Sequence, residues 1–141
     1  YPFTPQPVIT QAIISVSDVP VFVGVGGGIT TGSRSVRLAI QSEHQGAYGV
    51  VLNAPTSDDV IRQIKKVVDI PVVITVVSAA TPEIVAEIRR DFPKVPIIAT
   101  GGPTEESILR TIQAGANAIT YTPPSNGVLF ARIMNQHRKA L

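Results

Sequence analysis

The chain has no cysteine and no tryptophan, only two histidines, and charged residues at 16% of its 141 positions. Each shortage removes a class of function. Without cysteine there is no disulfide framework and no thiolate nucleophile or metal ligand, so the expected compartment is the cytoplasm. His44 and His137 have no paired carboxylates beside them, and no metal site is expected. Both are read on helices: His44 on the inner stripe set by Val36 and Ile40, His137 in the last turn of the final helix.

Long apolar runs are also missing. The longest, IPVVITVV, is broken by Pro and Thr and falls far short of the ~20 residues a spanning helix needs. No signal-peptide pattern is read either, and no membrane partner is expected. The formal net charge is +2, and the bases share helices with acids: Arg62, Lys65 and Lys66 with Asp58, Asp59 and Asp69. Such mixed faces are solvated helix surface, so nucleic acid is not expected as a partner. The chain opens on Tyr1 rather than Met, as expected for a piece of a longer protein.

What is present is an alternation of two signals. Val/Ile-rich runs lie at 21–25, 48–53, 71–77, 95–99 and 117–121. Between them, apolar residues recur at helical spacing, as with Val60, Ile61, Ile64, Val67 and Val68 in 57–69. Further helices are predicted over 6–16, 33–45, 82–92, 105–114 and 126–138. Ser57, Thr81 and Thr104 stand before acidic first turns as caps, and Gly46 and Gly115 follow helices as C′ residues.

Strict alternation of strand and helix implies βαβ crossovers and a parallel sheet, and strands without polar alternation imply burial on both faces. The expectation is one α/β domain over residues 1–141, built of five βα units. An open three-layer flavodoxin-like sandwich is preferred, with a partial TIM barrel as the alternative, because five strands cannot close an eight-stranded barrel. In both, ligands sit beyond the carboxyl ends of the strands.

The five stretches there read GVGGGITTGS, NAPTS, VSAAT, TGGPT and TPPSN. None contains Asp, Glu, Lys, Arg or His, so this edge has no group for acid–base or Schiff-base chemistry and names no reaction. The first stretch places Gly26, Gly27, Gly28, Thr30, Thr31, Gly32 and Ser33 together, with Asn53 ending the second strand. It fails two nucleotide motifs. A dinucleotide fingerprint starting at Gly26 meets Thr31 where its third glycine belongs, and a P-loop over 27–34 meets Ser33 in place of lysine. A flavin loop would need aromatic rings, and only Tyr121 is well placed. What remains is a neutral anion cradle of backbone N–H groups, hydroxyls and a helix start. No cofactor is expected.

The chain also repeats itself. PVFVGVGGGIT and GAYGVVLNAPTS are echoed by VPIIATGGPT and GANAITYTPPS, with Gly46-Ala47 matched to Gly115-Ala116. The second copy resembles the seventh and eighth βα units of the phosphate-binding TIM barrels, which include thiazole synthase, IMP dehydrogenase and keto-deoxy-phosphogluconate aldolase. That resemblance implies phosphate contacts at Gly101 and Gly102, with Gly27 and Gly28 as their counterparts. The final strand departs from the pattern by running into TPPS, and the catalytic lysines and acids of those enzymes have no counterpart.

The expected function is therefore a sensing or regulatory domain that binds a phosphorylated metabolite or mononucleotide. Two alternatives stand beside it: a lyase or isomerase of the phosphate-binding barrel class with catalytic residues outside this chain, and an assembly module whose open edges drive homo-oligomerisation.

Overall fold

All five apolar runs are strands, and the helices fall where the periodicity puts them. The computed structural model describes residues 6–27, 30–77, 81–100, 104–120 and 127–140. Its elements in order are α1 (Pro7–Val16), β1 (Phe22–Gly26), α2 (Gly32–His44), β2 (Gly49–Asn53), α3 (Asp58–Val67), β3 (Val72–Val76), α4 (Thr81–Asp91), β4 (Ile97–Thr100), α5 (Glu105–Gln113), β5 (Ala118–Thr120) and α6 (Gly127–Ala140). The chain divides into two compact units, residues 1–75 and 76–141.

Local chemistry sets the boundaries. The Ser57 side chain accepts from the Val60 N–H at the start of α3, and Thr104 with Ser107 forms a capping box on α5. Thr81, expected as a cap, stands at the start of α4 and is buried. Gly46 and Gly115 follow the C-caps Gln45 and Ala114 with φ of +97° and +118°, the left-handed geometry that ends a helix.

In the first unit β1 pairs with β2 and β2 with β3, both parallel. The middle position of β2 separates the two architectures left open by the sequence. In a flavodoxin-type sheet β1 lies between β2 and β3, and the order reverses there. Here the order is sequential, as in a (β/α) barrel. The partial-barrel alternative is the arrangement found, and the preferred open sandwich is not. Right-handed crossovers along a sequential order put the connecting helices α2 and α3 on the same face of these three strands.

β3 is buried at Val72, Val73 and Ile74 in succession, whereas in β1, β2 and β4 the buried residues include the alternate pairs Val23 and Val25, Val50 and Leu52, Ile97 and Ala99. Their neighbours Gly24, Val51 and Ile98 are only half-buried, and Asn53 and Thr120 are exposed. Burial on both faces, expected from the apolar strands, is thus not uniform. Val51 is half-buried although its register partner Val73 is buried, so exposure grows toward β1 and the strand ends rather than dividing cleanly by face.

The packing of α2 differs from the sequence reading in a second way. Its buried residues are Ser35, Ala39 and Ser42, not the Val36–Ile40–His44 stripe, and His44 is exposed. The reason is closeness. A Cβ on Gly26 would stand 2.2 Å from Ser35 Oγ, so only small side chains fit between this helix and β1.

Candidate functional site

At the carboxyl edge of the first unit, β1 ends irregularly. Its register with β2 slips between Gly24 and Gly26. Gly27 follows with φ +92°, and a Cβ there would lie 2.0 Å from the carbonyl oxygen of Asn53. Glycine is therefore demanded at 27 by both conformation and contact. The Gly27 N–H donates to the Thr30 carbonyl at 3.0 Å, and the Ser35 hydroxyl donates to the same carbonyl at 3.3 Å.

These bonds sort the predicted cradle residues. Gly26 and Gly27 let the chain turn tightly against β2, and the Gly27 N–H is committed to closing that turn. Thr30 is buried. Thr31, Gly32 and Ser33 open α2, and there the arrangement is different. Thr31 is the N-cap in extended conformation, yet its side chain makes no capping bond. Gly32 has φ +61° with nothing within 4 Å of where a Cβ would be. No acid stands in the first turn of α2, whereas α3, α4 and α5 carry Asp58 and Asp59, Glu83, and Glu105 and Glu106. The first basic side chain after the turn is Arg34.

Asn53 closes β2 on the same edge. Its carbonyl accepts from the Thr56 hydroxyl at 2.6 Å and the Thr56 N–H at 3.1 Å, and the next peptide N–H, of Ala54, donates to the Thr75 carbonyl at 2.9 Å. In the sheet register Asn53 is the partner of Thr75, so the two side chains share a face. The Thr75 hydroxyl donates to Asn53 Oδ1. Thr75 was not singled out from sequence. Its only signal there is a polar residue near the end of an otherwise apolar strand.

The second unit ends its strands in a similar way. Thr100 and Thr120 are register partners, with hydroxyl oxygens 3.4 Å apart. Gly28, Gly101 and Gly102 lie outside the described residues.

The opposite edge of the first unit holds a cavity of about 590 Å³ whose walls include Ile14, Val21, Tyr48, Asp69 and Pro71. It contains none of the predicted site residues, and its one carboxylate belongs to a loop already tied down. The Asp69 and Ile70 N–H groups donate to Glu43 Oε2 at 2.6 and 3.2 Å. Among the described residues, no three His, Cys, Asp or Glu side chains gather as a metal site. No described helix is long and apolar enough to cross a membrane.

No protein-family model matches the chain, and no curated protein sequence does. Solved structures do share its fold. A monomeric dihydrodipicolinate synthase variant superposes with a TM-score of 0.64 at 19% identity, over 94% of this chain and 51% of that one. Dihydrodipicolinate synthase from Aquifex aeolicus gives 0.57 at 17%, over 97% and 59%. The enzyme from Acinetobacter baumannii complexed with pyruvate gives 0.54 at 15%, over 82% and 51%. All are TIM barrels, so the chain has the fold of part of such a barrel and spans little more than half the length of these relatives in structure.

Proposed function

We propose that this chain supplies the ligand-holding edge of a lyase- or isomerase-type (β/α) barrel, and that the edge of its first unit binds a small anionic metabolite through neutral donors. The observation that carries this reading is the start of α2. Thr31, Gly32 and Ser33 leave a helix N-terminus with no side-chain cap and no acid, two residues after a turn anchored on Asn53. Backbone N–H groups with the positive end of a helix favour a phosphate or a carboxylate there.

Enzyme rather than sensor is supported by the company the fold keeps, including a synthase solved with pyruvate. The five strand-end stretches contain no titratable side chain, so any proton-transfer or amine chemistry comes from groups outside them. This chain's own part is to hold and orient the anion.

An NMR titration of the labelled chain tests this, with inorganic phosphate in one series and pyruvate in another. Saturable shifts at the amides of Thr31, Gly32, Ser33 and Asn53 are expected. Shifts confined to other surfaces, or no saturable shift with either probe, would overturn it.

A second reading, self-association, is favoured by one observation. The surface around α1 and β1 exposes Val8, Val16, Val19, Phe22 and Tyr48. Sedimentation of the chain at rising concentration checks it; a strict monomer throughout would exclude it.

A further inference from the structure

We propose that Asn53 is the residue that selects the ligand at this edge: a fixed, uncharged double donor that Thr75 holds in one orientation. The inference rests on the anion-binding reading above and deepens it, moving discrimination from the glycine turn to the end of β2.

The backbone of Asn53 is held from three sides. Thr56 binds its carbonyl twice, the following N–H is bonded to Thr75, and Gly27 lies directly over it with no room for a side chain. The side chain is held as well. Because β2 and β3 are in parallel register at this point, the Thr75 hydroxyl meets Asn53 Oδ1, far closer than the Leu52 carbonyl at 3.5 Å, and turns the oxygen end of the amide toward β3. The donor end is left over. Asn53 is exposed, and the two N–H bonds on Nδ2 have no partner among the described residues.

A freely turning asparagine offers either an acceptor or a donor to a ligand. One whose oxygen already accepts from a neighbour is fixed in one flip state: it keeps a single acceptor lone pair and leaves both Nδ2 N–H bonds for a ligand. Two N–H bonds held in this way favour an oxygen acceptor, whether carboxylate, phosphate or ketone. Being neutral, it adds no competing charge and no proton-transfer capacity of its own. The cost of ordering the amide is met in folding rather than in binding, which favours affinity through preorganisation. Thr75 is accordingly a positioning residue, acting through Asn53.

The test combines a ligand-free readout with a titration. In the unliganded protein the Asn53 side-chain NH₂ is expected to be as rigid as the backbone by heteronuclear NOE. It should become mobile in Thr75→Val and rigid again in Thr75→Ser. Circular dichroism of each variant confirms that the fold is kept.

In the titration with inorganic phosphate, Asn53→Asp replaces the donors by a carboxylate at neutral pH. It is expected to weaken binding by roughly ten- to a hundredfold, the loss of hydrogen bonds to a charged partner. Asn53→Ala should weaken it less, because no like charge is introduced. Thr75→Val should weaken it severalfold, with Thr75→Ser restoring it.

The two failures are distinguishable. Phosphate shifts at Thr31 and Gly32 that persist unchanged in Asn53→Asp would overturn the role of Asn53 and leave the anion site standing. A rigid Asn53 amide with no phosphate or pyruvate response at this edge would overturn the anion site, and the selector role with it. A mobile Asn53 amide in the wild-type protein would overturn the selector role directly.

Discussion

Gly27 lies so close to Asn53 that a Cβ on residue 27 would sit 2.0 Å from the Asn53 carbonyl oxygen. The turn after the first strand is thus pressed onto the end of the second, and one glycine serves conformation and packing together. Gly27→Ala must both strain a φ of +92° and displace β2. A destabilisation above the ~1–2 kcal/mol of the backbone strain alone is expected from urea unfolding. Gly32 is the control. It also has positive φ but open space around it, so Gly32→Ala should cost only that strain. Equal costs at the two positions would contradict the contact.

Two helix starts make a matched pair. The Ser57 hydroxyl accepts from Val60, whereas Thr31 makes no such bond. Ser57→Ala is expected to lower stability by about 1 kcal/mol, and Thr31→Ala by clearly less. Thermal and urea denaturation of the two variants measure the difference. A Thr31 effect as large as that of Ser57 would mean that the hydroxyl caps its own helix and is not available to a ligand.

Arg89 fastens the second unit at the amino-terminal ends of β4 and β5. Its guanidinium donates to the Gly115 carbonyl at 2.8 and 3.2 Å, to Asn117 Oδ1 at 2.7 Å, and to the Pro93 and Val95 carbonyls at 2.9 and 2.8 Å. Asn117 Oδ1 also accepts from the Ile97 N–H at 2.9 Å, tying helix end and strand start together. Carbonyls near the end of α4 suit a cation. Arg89→Ala should cost about 1–3 kcal/mol by leaving acceptors unpaired, and Arg89→Lys should recover only part, lacking the fork. A double-mutant cycle with Asn117→Ala is expected to show clear non-additivity.

The small-residue face of α2 supplies the last prediction. Ala39 is fully buried beside Ser35 and Ser42. Ala39→Leu is expected to cost about 1–3 kcal/mol by overpacking, although leucine is the more apolar residue and a good helix former. Ile40→Ala, on the half-buried side, should cost less than a fully buried truncation such as Ile64→Ala, for which about 2–5 kcal/mol is expected. Calorimetry ranks the three.

Much of the secondary structure was legible because it depends on neighbours in sequence. The spacing of Val60, Ile61 and Ile64 marks a helix whatever it packs against, and Gly46 and Gly115 end helices through their own backbone freedom. The α2 face was misread because periodicity favours the largest apolar side chains, while a close helix–strand approach selects the smallest. Within the candidate site, Gly27 and Asn53 were legible as a glycine turn and a strand-final polar residue. Thr75 was not, since its role depends on which strand lies beside β2.

That division has one physical cause. By itself the sequence determined the elements, their boundaries, the alternation that makes the sheet parallel, and the lack of titratable groups in the strand-end stretches, all of which follow from local stereochemistry and composition. Tertiary structure decided the rest. It put β2 rather than β1 in the middle of the first three strands. It also spent the Gly27 N–H on Thr30 and set Asn53 against Thr75. Those outcomes depend on register and strand order, which join residues far apart in the chain and leave no periodic trace within any one segment.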